Sequence, residues 1–237
     1  MESPGMETVS ERHPVRLVIW LVVVGLLTIL NFAGRYADGD SPDDLAYRYS
    51  TTALAVVSYG ILLVIVLLLA IGLRKRRAFG LRAPVAWRRA LGLVAGSLVA
   101  IYAIAFVFGL ALSLFTDENP SCEQGLAPTE WDPSRAGAFA AFAVAVVAVG
   151  PAVEELLYRG LGFGLLAPYG TLLAILVTGV LFGASHGLVY GFVPLVAFGI
   201  IAGWVRWRTQ STYPSMVLHA SFNAVSLVAA LALSSPC

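Results

Sequence analysis

Long apolar stretches without charge leave few folds open to this chain. A helix needs about 20 mostly apolar residues to cross the hydrocarbon core of a bilayer, where its backbone must satisfy its own hydrogen bonds. Apolar residues make up 59% of the chain, and the mean hydropathy is +0.83. Seven segments approach or exceed the required length: residues 17–33, 51–73, 90–115, 136–167, 171–186, 188–204 and 213–233. We therefore predict an all-α, polytopic transmembrane helix bundle of about seven spans.

The first apolar segment, residues 17–33, has a second possible interpretation as a secretory signal peptide. It is long for the apolar region of a signal peptide, and the following NFAGRYADGD contains no A-x-A-like cleavage site. We therefore predict that this segment is a retained first helix.

The charged residues between the segments predict the orientation of the bundle. The loop 74–89 has seven basic residues and no acidic one, whereas acidic residues gather in the loops 34–50 and 116–135. Because basic residues concentrate in cytoplasmic loops, we place the loop 74–89 and the N-terminus in the cytoplasm and the C-terminus outside the cell. Cys122 and Cys237 both fall on the outer side, where a disulfide between them could form.

Four ionisable side chains interrupt the apolar sequence of the C-terminal half. Between residues 136 and 205 they are Glu154, Glu155, Arg159 and His186. Ionisable groups within a membrane are costly and usually face a bundle interior or a watery cavity. On a helix, Glu155 and Arg159 lie four residues apart on one face and can form an ion pair, whereas Glu154 lies about 100° away. Glu154 is then a buried carboxylate without a fixed counter-charge, which suits general acid–base catalysis.

Helix geometry predicts that Glu154 and His186 meet. Glu154 lies fifteen residues before Tyr169, in the predicted turn 168–170, and His186 lies seventeen residues after it. At 1.5 Å per residue, two antiparallel helices leaving this turn place the two side chains within about 3 Å of equal depth. In the last apolar segment, His219 and Asn223 share one helix face.

Together these side chains predict a hydrolytic site. Glu154 could draw a proton from water, and His186 could hold that water or share the proton. His219 and Asn223 could donate hydrogen bonds to a developing oxyanion. Each residue alone has an ordinary structural explanation, because a single buried His or Asn is most often a hydrogen-bonded packing residue. The combination favours catalysis, since both histidines outside the N-terminal arm belong to it.

These residues resemble the CPBP family, also called Abi or type II CAAX prenyl protease-like intramembrane endopeptidases. The family motifs EExxxR, FxxxH and HxxxN read here Glu154-Glu155-LLY-Arg159, Phe182-GAS-His186 and His219-ASF-Asn223. The resemblance covers about residues 136–230. It implies a helical endopeptidase with a polar catalytic cavity formed by the C-terminal four helices.

The resemblance also implies a role for each motif residue. Glu154 is expected to be the catalytic base and His186 its partner, with His219 and Asn223 at the oxyanion. Glu155 and Arg159 are expected to be a supporting pair. We expect no required cofactor; in the alternative, zinc or another divalent metal is held by Glu154, His186 and His219.

The apolar segments, the basic loop and the resemblance together divide the chain into three predicted parts, and the resemblance implies the substrate. Residues 1–16 form a cytoplasmic arm, residues 17–135 the N-terminal transmembrane helices with the basic loop 74–89, and residues 136–234 the protease core. The expected substrate is a peptide or membrane protein, with or without a lipid group, reached from the lipid bilayer. The net charge of +1 gives no reason to expect nucleic-acid binding.

Two other functions fit the sequence. Buried Glu and His residues also serve proton-coupled transporters, although these are often built from inverted repeats, and the two halves of this chain show no convincing repeat. The second alternative is a non-catalytic membrane scaffold or immunity protein. Other protease signatures are incomplete: the sequence has no GxSG, GxGD or H-E-x-x-H motif.

Overall fold

The computed structural model describes residues 12–37, 44–73, 79–116, 123 and 131–233. Cys122 and Cys237, which the sequence places on the outer side, lie outside the described residues. The described part of the chain is helical and contains no strand. Its main helices are α1 (Pro14–Ala37), α2 (Tyr49–Leu69), α3 (Trp87–Leu112), α4 (Pro133–Tyr169), α5 (Thr171–Ala184), α6 (Phe192–Thr209) and α7 (Tyr213–Leu233).

These helices confirm the all-α, multi-pass fold. By length and composition, α1, α2, α3, α4 and α7 can each cross a membrane, while α5 is a shorter apolar helix. Many large apolar side chains on the outer helix faces are exposed, for example Leu54, Val99 and Phe106. Surfaces of this kind are costly in water and suit contact with lipid.

Two spans differ from their predicted limits around His186. The predicted segment 171–186 ends as a helix at Ala184, and His186 lies in the following turn. The next helix begins at Phe192 rather than 188 and continues to Thr209. Gly187 has a φ of +66° in this turn, a conformation that glycine adopts without steric cost. The helix therefore ends two residues before His186, and the imidazole is carried by the turn.

Helix α4 contains two wider, π-helical segments, Ala145–Val149 and Leu156–Gly162, on either side of Gly150–Glu155. In each segment a backbone carbonyl accepts a hydrogen bond from another helix: Val146 from Asn223 Nδ2 at 2.7 Å, and Leu157 from Trp20 Nε1 at 3.0 Å. Within a membrane such carbonyls need a partner from the protein. Wide helical turns are frequent at functional sites, and the two glutamates lie between them.

Helices α5 and α6 pack backbone to backbone through small residues. A Cβ on Gly199 would lie 2.7 Å from the Cα of Gly179, and a Cβ on Gly183 would lie 2.8 Å from the backbone nitrogen of Val196. Close approach through small residues is typical of membrane helix pairs. This packing brings the backbone of α6 within reach of the polar side chains of α4.

Candidate active site

Only one of the two carboxylate oxygens of Glu154 accepts a hydrogen bond from a described residue. Tyr59 of α2 donates from its hydroxyl to Oε1 of Glu154 at 3.2 Å. The other oxygen, Oε2, is buried and has no hydrogen-bond partner among the described residues. A buried carboxylate oxygen without a partner is costly, so a partner or a chemical role is expected for it. The side chain as a whole is 17% exposed and therefore accessible.

Both histidines of the motifs face this unbonded oxygen. The Nε2 atoms of His186 and His219 lie 3.9 and 3.8 Å from Oε2 of Glu154. These separations are too long for direct hydrogen bonds and fall in the range that a bridging water spans. The structure thus brings Glu154, His186 and His219 together from α4, the turn after α5, and α7.

The opposite ring nitrogens fix the tautomer of each imidazole. Nδ1 of His186 lies 2.7 Å from the carbonyl oxygen of Phe182, and Nδ1 of His219 lies 3.1 Å from Oε1 of Glu155. Both oxygens only accept hydrogen bonds, so both Nδ1 atoms donate. In neutral rings the two Nε2 atoms are then acceptors. Three acceptors therefore converge on one point, an arrangement that needs a proton donor or a cation between them.

Glu155 and Arg159 form a fully buried pair behind the histidines. Both side chains are 0% exposed, and Nη1 of Arg159 donates to Oε1 of Glu155 at 3.0 Å. Nη2 of Arg159 donates to the carbonyl of Gly199 at 2.9 Å. The pair is sealed from solvent while Glu154 and His186 are not, and it includes the carboxylate oxygen that accepts from Nδ1 of His219. Its supporting role stays a prediction.

Aromatic rings hold the two imidazoles in place. The ring of Phe182 lies 4.6 Å from that of His186 and 5.4 Å from that of His219, and Phe198 lies 4.9 Å from His219. The guanidinium of Arg159 also lies 4.6 Å from the Phe182 ring, a cation–π distance. Phe182 therefore lies against His186, His219 and Arg159.

Asn223 takes a different position from the other motif residues. Its Nδ2 donates to the carbonyl of Val146 at 2.7 Å, so one of its two N–H groups holds the wide turn of α4. An amide nitrogen has a second N–H, which makes no hydrogen bond to a described residue. The structure places Asn223 beside the glutamate-bearing helix, where it ties α7 to α4.

Sequence reasoning missed Tyr59, which lies on α2, outside the predicted catalytic half. A Cβ at Gly150 would lie 2.6 Å from the Tyr59 hydroxyl, so this glycine makes room for the phenol. A tyrosine within an apolar span and a glycine one turn before Glu154 were the available signals, but neither identifies the partner. The polar cluster around Glu154 therefore includes a side chain from α2, an N-terminal helix, in addition to those of the C-terminal helices.

The segment around His186, residues 185–191, is held by residues distant in sequence. Asn31 of α1 donates from Nδ2 to the carbonyl of Ser185 at 2.5 Å, and the hydroxyl of Tyr158 donates to Ser185 Oγ at 2.6 Å. The carboxylate of Glu123 accepts hydrogen bonds from the backbone nitrogens of Val189 and Gly191. His186 is thus held on a turn that three separate elements restrain.

The donor types suit zinc, but the distances do not describe a metal site. Two imidazoles and one carboxylate are familiar zinc ligands, at about 2.0–2.2 Å from the metal. Among the described residues no group of three or more His, Cys, Asp or Glu side chains is placed so that it could hold a metal ion. The metal-bound alternative at Glu154, His186 and His219 stays a prediction.

Fold and site together define a multi-pass membrane protein with a buried acid–imidazole cluster. Residues 136–225 match the family model described as type II CAAX prenyl endopeptidase, Rce1-like. This match confirms the resemblance drawn from the three motifs, and all seven motif residues named above lie inside it. Searches of curated proteins and of solved structures returned no match. The C-terminal part of the chain thus carries an Rce1-like domain, which supports a CAAX-protease-like intramembrane protease at the level of the family.

Proposed function

We propose that this protein is an intramembrane endopeptidase in which Glu154 activates the attacking water. The observation that carries the proposal is the convergence of three acceptors: the Nε2 atoms of His186 and His219 lie 3.9 and 3.8 Å from Oε2 of Glu154. A water between them can donate a hydrogen bond to the carboxylate and to one imidazole. Its oxygen lone pair then remains free to attack a carbonyl carbon.

The proposed reaction uses Glu154 first as a base and then as an acid. Glu154 takes a proton from water while the water oxygen forms a bond to the scissile carbonyl carbon. The carbonyl π electrons move onto oxygen and give a tetrahedral oxyanion. When the C–N bond breaks, the departing nitrogen receives the proton that Glu154 holds, which regenerates the carboxylate.

His219 is the proposed donor to the oxyanion. For this role Nε2 of His219 takes up a proton from water before the reaction, so the ring is cationic while Nδ1 still donates to Glu155 Oε1. Glu154 and His186 are then the two acceptors for the attacking water. Arg159 holds the same oxygen of Glu155, so the carboxylate cannot turn away. The free N–H of Asn223 is a second candidate donor. Donors fixed before the reaction contribute most to stabilising such charge.

We propose a peptide or membrane-protein substrate whose scissile bond reaches the cavity from within the bilayer, with or without a lipid group. The family description names prenyl endopeptidases, and the exposed apolar helix faces give a lipid group a compatible path. A prenylated peptide and its unmodified twin are therefore the informative pair of substrates.

The test is cleavage of a diverse peptide library, with and without prenyl groups, by purified protein in liposomes, followed by mass spectrometry. His186→Ala and His219→Ala should abolish the cleavage that the wild type shows, whereas His13→Ala, at a histidine outside the site, should not. A strong chelator should leave wild-type cleavage intact; loss that zinc restores would establish the metal-dependent form. Equal activity in all folded variants would refute the proposal and favour proton transport, which a proteoliposome pH assay would detect.

A further inference from the structure

A second buried arginine, Arg206, lies far from the active site near the end of α6. Its side chain belongs to the buried set, at 5% exposure. The guanidinium lies against Gly80, where even a methyl group would collide with it, and 5.2 Å from the centroid of the Phe163 ring. The glycine and the aromatic ring thus form two walls of a slot that fits a guanidinium group.

Unlike Arg159, Arg206 has no carboxylate partner within the part of the chain that the structure describes. It takes part in no ion pair or hydrogen bond with another described residue, and its Nε is buried without a partner. A guanidinium cannot lose its proton at ordinary pH. Burying such a charge is costly unless an anion compensates it. The slot therefore predicts an anionic ligand.

The surroundings of Arg206 are a built turn, not a loose loop. Thr212 donates from its backbone nitrogen to the carbonyl of Gly80 at 3.0 Å, and Ser211 Oγ donates to the carbonyl of Arg82 at 2.6 Å. Nε of Arg82 in turn donates to the carbonyl of Gln210 at 2.8 Å. These bonds fasten residues 79–82 to the turn between α6 and α7. They also fix the side chain of Arg82, which is near enough for its charge to act on Arg206.

The position along the bundle identifies the kind of anion. Arg88 and Arg89 begin α3, and Arg208 lies in the last turn of α6, so this end of the bundle is basic. Basic residues at a membrane surface attract anionic lipid headgroups, and arginine pairs readily with phosphate oxygens through its parallel N–H groups.

We propose that Arg206, assisted by Arg82, binds a phosphate group at the basic end of the bundle. The phosphate belongs either to the headgroup of an anionic phospholipid or to free phosphate, which share this chemistry. Bound phosphate would fasten the loop 79–82, α4 and α6 together. The inference is independent of the proposed peptidase activity, because none of these residues takes part in the site of Glu154.

The experiment compares thermal unfolding midpoints of the full-length protein in nanodiscs of phosphatidylcholine and of an equal mixture of phosphatidylcholine and phosphatidylglycerol. A ligand that binds only the folded state raises the midpoint. We expect the anionic lipid to raise the wild-type midpoint by several degrees. Arg206→Gln should lose most of that rise, while Arg208→Gln, an exposed arginine in the same turn, should keep it.

Two further arms keep the result unambiguous. Arg82→Gln, at an exposed position, should reduce the rise even if Arg206→Gln fails to fold. In detergent without phospholipid, inorganic phosphate that reproduces the rise would identify free phosphate as the ligand, and no effect there would identify the lipid. The proposal is overturned if neither phosphatidylglycerol nor phosphate shifts the wild type, or if the glutamine variants at 82 and 206 respond as the wild type does.

Discussion

Replacing Arg159 by methionine tests the buried pair behind the active site. Glu155 and Arg159 are both 0% exposed and joined at 3.0 Å, so solvent does not screen them. Removing one partner of such a pair leaves an uncompensated charge and costs about 3–5 kcal/mol. For a chain of this size that loss lowers the unfolding midpoint by roughly 6–20 °C. The measurement is thermal or denaturant unfolding of the purified protein in one detergent.

The double variant Glu155→Leu/Arg159→Met separates charge from packing. Hydrophobic replacement of a whole buried pair is often neutral or stabilising, so the double variant should regain most of the stability that Arg159→Met loses. It should not regain peptidase activity, because His219 loses the carboxylate that accepts from its Nδ1 at 3.1 Å. The double variant should therefore be stable but inactive.

Two results would refute this reasoning. A loss below about 1 kcal/mol in Arg159→Met is the size expected for an exposed ion pair and would mean that the pair is not sealed. Full activity in the stable double variant would mean that Glu155 does not orient His219. The hydrogen bond to Glu155 would then not explain the tautomer of the His219 ring.

Three further predictions concern other parts of the structure. Tyr59→Phe removes the hydroxyl that donates to Glu154 at 3.2 Å and should lower kcat about tenfold, equivalent to about 1.4 kcal/mol. Tyr213→Phe, at an exposed position, should leave kcat unchanged. Equal rates for the two variants would argue against a role for Tyr59. Gly199→Ala should destabilise the protein by about 1–3 kcal/mol, because the added Cβ would lie 2.7 Å from the Cα of Gly179. Gly92→Ala, whose Cβ would meet nothing within 4 Å, should be neutral or stabilising in the same unfolding assay. Hydrogen bonds from Ser134 and then Arg135 lower the pKa of Asp132 to about 2, so its stabilising contribution is present above the unfolded pKa of about 3.9 and is lost as pH falls towards 2. Asp132→Asn should therefore reduce the loss of stability over this acidic range. An unchanged dependence of stability on pH would contradict the assignment.

The helices could be predicted from sequence where apolar runs end in clear turns. The segment 213–233 agrees with α7 at both ends, because the polar TQST before Tyr213 ends the preceding apolar stretch. The limits near His186 could not be predicted, since the positive φ of Gly187 depends on packing against the backbone of Asn31. An apolar run by itself does not show where a helix unwinds inside a bundle.

The site was predictable in its residue types but only partly in its geometry. The meeting of Glu154 and His186 follows from their nearly equal spacing about the turn at Tyr169, and in the structure Nε2 of His186 lies 3.9 Å from Oε2 of Glu154. The wide turns of α4 could not be foreseen, because the sequence estimate assumes 3.6 residues per turn. One of those turns provides the Val146 carbonyl that accepts a hydrogen bond from Asn223. Tyr59 also escaped prediction, because nothing local in sequence links α2 to α4.

The most direct test of the central claim is the cleavage rate of Glu154→Gln in liposomes, measured beside the wild type at matched amounts of folded protein. Glutamine keeps the shape of the side chain and the bond from Tyr59 but cannot accept a proton from water. Loss of general acid–base catalysis predicts a fall in kcat of about 10²–10⁴-fold. A variant that cleaves within a few-fold of the wild-type rate would contradict the role of Glu154 as the base.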